Sequence, residues 1–402
     1  MVKSCSSCAE ERGPNNMFTK ILIADRGENA IRIIRACKEL DVQTVAVFSE
    51  ADREGLHVSL ADESYCIGGA LLKDSYLNMD AILTTAIATG VEAIHPGCGF
   101  LSENAGFAKL CHESGLVFIG PDTETIALMG DKETADKIMQ EAGVPVFHDN
   151  ETVMDTAQLK HIGMQLLADN FGNIVCLGER DNSIRRNNKI QIGESPAVTV
   201  PEDVRERMIE ASIKAGKAIK YRGAGTIGYI CDNNGNFFFA GMDTRLQTGY
   251  SVTEMVTWID LVKWQIRIAS GLELDFRQKD IEFRGHAIEC RIYADDTWRG
   301  DMSRGKVEFL NVPGGPWVRF DTALYQGYDM PPFSDSLLGE LIVYARTRDE
   351  AIVKMKAALS ELAIEGVAHN AVYQAELLSA DVTAHCPAIE GEYLSPNTVE
   401  IV

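Results

Sequence analysis

The chain has 402 residues, of which 46% are hydrophobic and 24% charged, as expected for a globular protein with more than one core. Its net charge of −21 argues against a nucleic-acid partner, because an acidic surface repels phosphate backbones. We expect a cytoplasmic protein without a membrane partner, since no apolar run is long enough to span a bilayer and the N-terminus lacks the apolar stretch of a secretory signal.

The first residues contain a CxxC pair, Cys5 and Cys8. A structural zinc site needs a second ligand pair and none lies nearby, so residues 1–17 are predicted to be a flexible, reduced extension rather than a metal or redox site. Met17 is a candidate natural start. Other cysteines stand among apolar residues and are predicted to be buried: Cys37, Cys66, Cys111, Cys231 and Cys290.

Residues 18–131 alternate between strand and helix patterns. A strand at Lys20–Ala24, a helix from about Asn29 to Leu40 and a strand at Thr44–Phe48 form a βαβ unit, which predicts an open parallel sheet. Ligands of such sheets gather at the carboxyl ends of the strands, where Arg26–Glu28 and His95–Phe100 lie. The unit continues with helices at Asp80–Thr89 and Glu103–Glu113 and strands at Ala93–Ile94 and Val117–Ile119.

Beyond a helix at Lys132–Ala142 the pattern changes to hairpins. One hairpin is predicted around the turn Asp169–Asn173 and a second around Asp232–Gly235. Long helices are predicted at Glu202–Ile219 and Ser251–Ser270. From Arg284 onward, short β segments alternate with Gly and Pro turns, and a helix follows at Arg348–Leu362.

Several motifs, in this order, resemble the biotin carboxylase family: IADRGENAIRIIRACKEL, HPGCGFLSEN, FIGP, LMGDK, GERD, RGAGT, VTEM, RGHAIECRI, VPGG and DEAIVKM…EGV. The resemblance extends from residue 18 to about 395. It implies an α/β fold with a Rossmann-like, pre-ATP-grasp domain at 18–131, an ATP-grasp domain at 132–283 and a β-rich C-terminal domain at 284–402. It also implies ATP, Mg²⁺, bicarbonate and biotin as the family's reactants and cofactors, and a glycine-rich lid over the phosphates.

The lid is expected to be missing from this chain. In the family a complete small domain stands between the GVPV motif and the strand that begins His-x-Glu. Here only Phe147 to Lys160 separates Val146 from His161, without a glycine-rich loop or a lid lysine. Without closure, water stays in the site and the phosphates lose donors.

The metal ligands implied by the resemblance are also altered. Gly228 and Gly241 stand where the family has its two metal-binding glutamates, and Asp243 replaces an asparagine near the metal. Asp243 alone would hold one ion weakly. Gly249 replaces the glutamate expected to act as base on bicarbonate. Glycine can neither ligate by a side chain nor move a proton, so both roles are predicted to be lost. Further replacements of family residues are Gly163 and Gly193 for glutamate, Asn188 for histidine, Ile190 for lysine and Cys98 for tyrosine.

Some family positions are retained. Lys132, His161, Glu179 and Arg180 match nucleotide-side residues, whereas Arg245, Gln247 and Arg319 match the bicarbonate and biotin side. Two interpretations stay open for each residue. It forms part of a residual pocket for a small anion or nucleotide, or it survives as a structural hydrogen bond or ion pair, because buried charges need partners whatever the function.

Four hypotheses follow. The chain is a non-catalytic structural or regulatory subunit of a biotin-dependent carboxylase assembly, forming a homodimer or a heterodimer with an active biotin carboxylase or another carboxylase subunit. Alternatively it is an active ATP-dependent enzyme with unusual chemistry or a borrowed lid, a sensor of nucleotide, bicarbonate or biotin without turnover, or a sequence whose site was removed by design. The helix bearing Arg32, Arg35 and Glu39 resembles a segment used in family dimer contacts.

Overall fold

The computed structural model describes residues 17–147, 159–295, 303–331 and 336–379. Over these ranges the chain is a mixed α/β protein with one parallel sheet of five strands, one antiparallel sheet of eight strands and a small two-stranded antiparallel sheet. The Cys5–Cys8 pair and most of the segment that stands in place of the lid lie outside the described residues.

The first sheet confirms the predicted parallel arrangement. Its five strands run in the order β3-β2-β1-β4-β5 and all their pairings are parallel. The strands are β1 Lys20–Ile23, β2 Gln43–Ser49, β3 Glu63–Gly68, β4 Ala93–His95 and β5 Val117–Phe118. The helices are α1 Gly27–Glu39, α2 Leu56–Leu60, α3 Met79–Thr89, α4 Ala105–Glu113 and α5 Thr123–Gly130.

Edge strand β3 was not predicted from the sequence. Only Ile67 of its six residues is buried, because the strand pairs on one side only. Cys66 lies on this strand and is exposed, so the prediction that it is buried was wrong. The other four cysteines of that group are buried as predicted.

The second sheet has eight strands in the order β10-β9-β6-β7-β8-β11-β14-β13. They are β6 Lys160–Ala168, β7 Ile174–Arg186, β8 Lys189–Ser195, β9 Gly223–Cys231, β10 Phe237–Asp243, β11 His286–Tyr293, β13 Val318–Thr322 and β14 Leu337–Ala345. Helices α6 Lys132–Glu141 and α7 Glu202–Ala218 contribute to a core with one face of β6, β9 and β10. On the opposite face, Leu167 and Ala224 belong to another core, and the remaining part of that face is available to form a site.

The sheet continues across the expected domain boundary at residue 284. Ala287 of β11 pairs with Ser195 of β8, so the ATP-grasp region and the C-terminal region share one hydrogen-bonded ladder. The remaining elements are β12 Phe309–Asn311, β15 Ala363–Glu365, α10 Arg348–Glu361 and α11 Ala371–Leu377. No helix within the described ranges is long and apolar enough to cross a membrane.

The long helix predicted at Ser251–Ser270 is wrong. The structure has two helices, α8 Tyr250–Thr257 and α9 Leu261–Ala269. The break begins at Trp258, whose φ of 61° is left-handed and ends α8. Asp260 then caps α9, because its side chain accepts a hydrogen bond from the backbone N–H of Lys263 at 2.9 Å. Because the apolar periodicity continues through both helices, the sequence pattern did not indicate a helix break at Trp258 and Asp260.

Candidate functional site

The candidate site lies on the face of the second sheet that points away from α6 and α7. Side chains alternate between faces along a strand. Ile162 and Met164 of β6 enter the core with Ile227 of β9, so Gly163 and Gly228 fall on the opposite face. This alternation brings Gly163, Gly228 and Gly241 onto one surface.

Three glycines form a row across this surface. Gly241 of β10 pairs with Gly228 of β9, Gly228 pairs with Gly163 of β6, and Gly163 pairs with Arg180 of β7. A Cβ atom built on Gly241 would meet nothing within 4 Å, and one on Gly228 would meet only the Gly241 carbonyl oxygen, at 3.5 Å. Among the described residues this backbone floor is open at Gly228 and Gly241, which have room for side chains. Gly163 is covered, because a Cβ atom there would lie 3.1 Å from Thr226 and 3.4 Å from both Asn182 and Gln247.

The residues present do not fit the two Mg²⁺ ions that the family resemblance implies. Within the described ranges no group of three or more His, Cys, Asp or Glu is placed to hold a metal ion. Asp243, the remaining candidate, has both carboxylate oxygens engaged. Oδ1 lies 3.1 Å from a guanidinium nitrogen of Arg245, and Oδ2 accepts from Gln247 at 2.6 Å. Burial raises the pKa of Asp243, while Arg245 acts to lower it.

Arg245 is paired with protein carboxylates. Its Nε donates to Glu103 at 2.9 Å, and it also contacts Asp243. Burial acts to lower the pKa of Arg245, but Asp243 and Glu103 more than offset this and raise it. Glu103 also accepts from the backbone N–H of Thr244. Sequence reasoning missed Glu103 as a site residue, although it is the glutamate of the HPGCGFLSEN motif.

Gln247 links this cluster to Arg180. Its Nε2 donates to Asp243, and its Oε1 accepts from Arg180 at 3.1 Å. The structure therefore brings Arg180, Gln247, Asp243 and Arg245 into one hydrogen-bonded chain.

Glu179 belongs to a separate, structural cluster. Its Oε1 accepts from Arg205 at 2.7 Å and from the backbone N–H of Ala197 at 3.1 Å. These contacts hold helix α7 and the turn after β8 against β7. The geometry agrees with the structural interpretation of this residue.

Lys132 and His161 stand apart from the hydrogen-bonded chain. Lys132 is the exposed first residue of α6. His161 lies at the start of β6, where its backbone N–H donates to Ser183 at 2.9 Å. Burial and the neighbouring Arg185 lower the pKa of His161 to about 4, so its imidazole is neutral near pH 7.

The altered basic segment forms the tight turn between β7 and β8. Asn187 and Asn188 both have left-handed backbones, with φ of 49° and 61°, as the two central residues of a type I′ hairpin require. Ile190 follows on β8 and is buried in place of the family's lysine. The segment therefore has a turn residue and a core residue at the positions of the family's histidine and lysine, while Arg186 and Lys189 remain as cations.

Gly249 occupies a backbone position that favours glycine. Its φ is +94°, and a Cβ atom there would lie 2.9 Å from a guanidinium nitrogen of Arg291. Arg291 is buried with Glu289, to which it donates at 2.9 Å. Burial and Glu289 raise the pKa of the nearby Glu340 well above its usual range. Restoring a glutamate at residue 249 would therefore disturb a buried charge cluster.

Cys98 takes part in the site through its backbone N–H group. Its N–H donates at 2.7 Å to Asp25, a buried carboxylate at the carboxyl end of β1. Burial raises the pKa of Asp25 to about 6. Sequence reasoning missed Asp25, which stands in the IADRGE motif beside the predicted turn.

Arg319 belongs to a second cluster next to α1. It donates to Glu254 at 2.7 Å and to Asp321 at 2.8 Å, and Glu254 also pairs with Arg32 at 3.1 Å. Burial acts to lower the pKa of Arg319, but the two carboxylates raise it. This cluster joins the N-terminal helix to the C-terminal region.

Family profiles match almost the whole chain. Residues 17–126 match the biotin carboxylase N-terminal domain, residues 132–277 match the ATP-binding domain of the carbamoyl-phosphate synthase L chain, and residues 289–389 match the biotin carboxylase C-terminal domain.

Curated relatives agree with these profiles. Biotin carboxylase 1 of Bacillus subtilis is 41% identical, over 94% of this chain and 97% of the relative. The biotin carboxylase of Pseudomonas aeruginosa is 41% identical, over 90% of this chain and 95% of the relative. The first alignment has 442 positions, whereas 94% of this chain is about 378 residues, so about 64 positions of the relative have no counterpart here. The second alignment has 426 positions, and 90% of this chain is about 362 residues. About 64 positions of that relative therefore also have no counterpart here.

Solved structures show the same fold. The biotin carboxylase domain dimer of the Hydrogenobacter thermophilus 2-oxoglutarate carboxylase, in complex with MgADP, ADP and bicarbonate, has a TM-score of 0.88 at 38% identity and covers 92% of this chain and 95% of its own. A biotin carboxylase complex from Campylobacter jejuni has a TM-score of 0.88 at 36% identity, and it covers 92% of this chain and 97% of its own. The profiles, the relatives and the fold together establish that the chain belongs to the biotin carboxylase family.

Proposed function

We propose that this chain is a member of the biotin carboxylase family that does not carry out ATP-dependent carboxylation. It acts instead as a structural or regulatory subunit of a biotin-dependent carboxylase assembly in the cytoplasm. The observation that carries the proposal is the paired placement of Gly228 and Gly241, in register on β9 and β10, where metal-binding carboxylates are expected.

The electrostatics of phosphoryl transfer support this proposal. Catalysis of that reaction depends on cations that neutralise the developing charge of the phosphates. Neither glycine supplies a ligand for such a cation, and Asp243 is already held by Arg245 and Gln247. The side chain of Arg245, which matches a bicarbonate-binding residue, is paired with Glu103. The total of about 64 positions of the relative without a counterpart in this chain is large enough to include a small lid domain.

A patch of exposed aromatic residues beside α1 supports a role in assembly. Trp258 and Trp317 are 60% and 52% exposed, and their rings stack at 6.2 Å. They line a surface pocket of about 290 Å³ together with Arg32 and Arg319. Exposed apolar patches rimmed by charges are typical of protein interfaces. We infer that this surface contributes to a homodimer, or to a heterodimer with an active carboxylase subunit.

The second candidate function is an active biotin carboxylase. It is favoured by the identity to relatives that are named as biotin carboxylases, and by the retained Arg245, Gln247 and Arg319. In that case the enzyme uses unusual chemistry or borrows its lid from a partner chain. Binding of nucleotide, bicarbonate or biotin without turnover is a further form of the main proposal.

An ADP-release assay with ATP, Mg²⁺, bicarbonate and free biotin separates the two candidates. We expect no biotin-dependent ADP release, with the Bacillus subtilis enzyme as the positive control. Turnover within about tenfold of the typical ~10 s⁻¹, abolished by Arg245→Ala, would refute the proposal.

Light scattering tests the assembly role. We expect a dimer at micromolar concentration that is weakened by replacing Trp258 and Trp317 with alanine. Phe171→Ala, at a residue that is 62% exposed on a different loop, is the matched control and should leave the dimer intact. A monomer that also fails to co-purify with carboxylase subunits would contradict the role.

A further inference from the structure

Among the residues that the structure describes, Arg180 is a buried cation without an ionic partner. Its side chain is 0% exposed, in the middle of β7. Its two terminal nitrogens donate to neutral oxygens alone: Gln165 Oε1 at 2.7 Å, Thr226 Oγ1 at 2.8 Å, Thr253 Oγ1 at 3.1 Å and Gln247 Oε1 at 3.1 Å. Its Nε has no hydrogen-bond partner within the described part of the chain.

The environment of Arg180 contrasts with that of two neighbouring arginines, the buried Arg291 and the partly exposed Arg245. Arg291 is paired with Glu289, and Arg245 is paired with Glu103 and Asp243. Burial lowers the pKa of Arg180 to about 10, because the more distant Glu289 and Asp243 compensate only part of the lost hydration. A buried guanidinium that remains charged at neutral pH calls for a counter-charge.

The row of glycines provides space for that counter-charge. Gly163 pairs directly with Arg180 across β6 and β7, and Gly228 lies two residues beyond Thr226, a hydrogen-bond acceptor of Arg180, on the same face of β9. Among the described residues, the surface above Gly228 and Gly241 is open, and Gln247 is one of the side chains that cover Gly163. Turning Gln247 aside would uncover Gly163 on one side and free one N–H group of Arg180 for an anion.

Gln247 is suited to act as a displaceable neutral partner. It is half-buried and bridges Arg180 to Asp243 with one amide group. A negatively charged oxygen binds a guanidinium more strongly than an amide oxygen does, so an anion can replace Gln247 at Arg180. Asp243 remains close and repels a second negative charge, which favours a monoanion over a phosphate dianion.

We propose that the glycine floor formed by Gly163, Gly228 and Gly241 binds a small carboxylate-type monoanion, with Arg180 as its buried counter-charge. The site needs neither metal nor nucleotide, so it does not depend on the outcome of the ADP-release assay. It differs from the position of Arg245, whose guanidinium already contacts two carboxylates of the protein.

The test is thermal unfolding at pH 7.5 and constant ionic strength, with chloride replaced by acetate, bicarbonate or phosphate. We expect a saturable rise of Tm of about 1–3 °C with acetate or bicarbonate, and a smaller rise with phosphate. Comparison of acetate with bicarbonate separates an organic from an inorganic source of the anion. Calorimetric titration with acetate supplies the matching dissociation constant.

Gly228→Glu and Gly228→Gln are the matched variants, since both fill the open space and only one adds a charge. Both should weaken acetate binding at least tenfold, and only Gly228→Glu should have a higher Tm than the parent protein without acetate. A saturable response that survives in Gly228→Gln would show an adventitious ion only and overturn the proposal. So would a parent protein without a saturable response, or a Gly228→Glu variant no more stable than Gly228→Gln.

Discussion

Arg180 and Arg319 both carry a positive charge that is largely removed from water, but the groups around them compensate this charge in opposite ways. Arg319 lies between Glu254 and Asp321, and its pKa is raised. Arg180 is more deeply buried, has four neutral acceptors, and its pKa is lowered. The first cluster joins α1 to the C-terminal region, whereas the second faces the glycine row. Charge balance is thus complete where the regions of the chain meet and incomplete at the site implied by the family.

The largest expected effect comes from breaking the balanced cluster. Glu254→Gln leaves Arg32 and Arg319 without the carboxylate they share, and we expect a loss of about 3 kcal/mol in the free energy of unfolding. Urea denaturation measures the loss. The control is Glu273→Gln, which breaks the exposed pair with Arg277 and should cost less than about 0.5 kcal/mol. Equal losses in the two variants would show that the Glu254 cluster contributes no more to stability than an exposed ion pair does.

The next effect separates glycines that the fold requires from glycines that merely leave space. Gly249→Ala should destabilise the protein by about 2 kcal/mol, because it combines a left-handed backbone with a Cβ atom 2.9 Å from Arg291. Gly241→Ala meets nothing within 4 Å, and we expect a change within about 0.5 kcal/mol. Calorimetric unfolding of both variants gives the comparison. A Gly241 variant as unstable as the Gly249 variant would contradict the open floor.

The smallest effect concerns Asp25, at the edge of the site. Its pKa of about 6 is raised by burial, so its contribution to stability is present at low pH and is lost as the pH rises from its unfolded value of 3.8 through 6. Asp25→Asn removes this pH dependence, while the side chain at residue 25 stays buried. The variant should gain about 1–1.5 kcal/mol relative to the parent protein between pH 5 and 7.5.

Denaturation of the parent protein and the Asp25→Asn variant at both pH values measures this gain. The absolute offset between the two proteins is not the test, because an asparagine amide cannot accept from both the Arg26 and the Cys98 N–H groups. A difference that stays constant with pH would show that Asp25 titrates at an ordinary pKa in the folded protein.

The fold was largely predictable because βαβ alternation and long family motifs agree over most of the chain. The errors came from local effects that periodicity does not report. A left-handed Trp258 and a capping Asp260 divide the predicted helix Ser251–Ser270, and the exposed edge strand β3 lacks a buried face.

At the site, the sequence indicated which carboxylates are replaced by glycine but not what the remaining charges contact. Glu103 and Arg245 are 142 residues apart and meet only in the folded chain. The same is true of Arg180 and Thr253, which are 73 residues apart. Whether a retained arginine is paired or free depends on such long-range contacts, so motif matching alone left both interpretations of each residue open.

The most direct test of the account is metal binding itself. Electron paramagnetic resonance with Mn²⁺ as the probe, in the presence of ATP, compares this protein with the Gly228→Glu, Gly241→Glu double variant. The account predicts no protein-bound Mn²⁺ in the parent protein and a bound signal in the double variant, since both positions have room for the restored carboxylates. A parent protein that binds Mn²⁺–ATP as tightly as the Bacillus subtilis relative would contradict the claim that the paired glycines abolish the metal site.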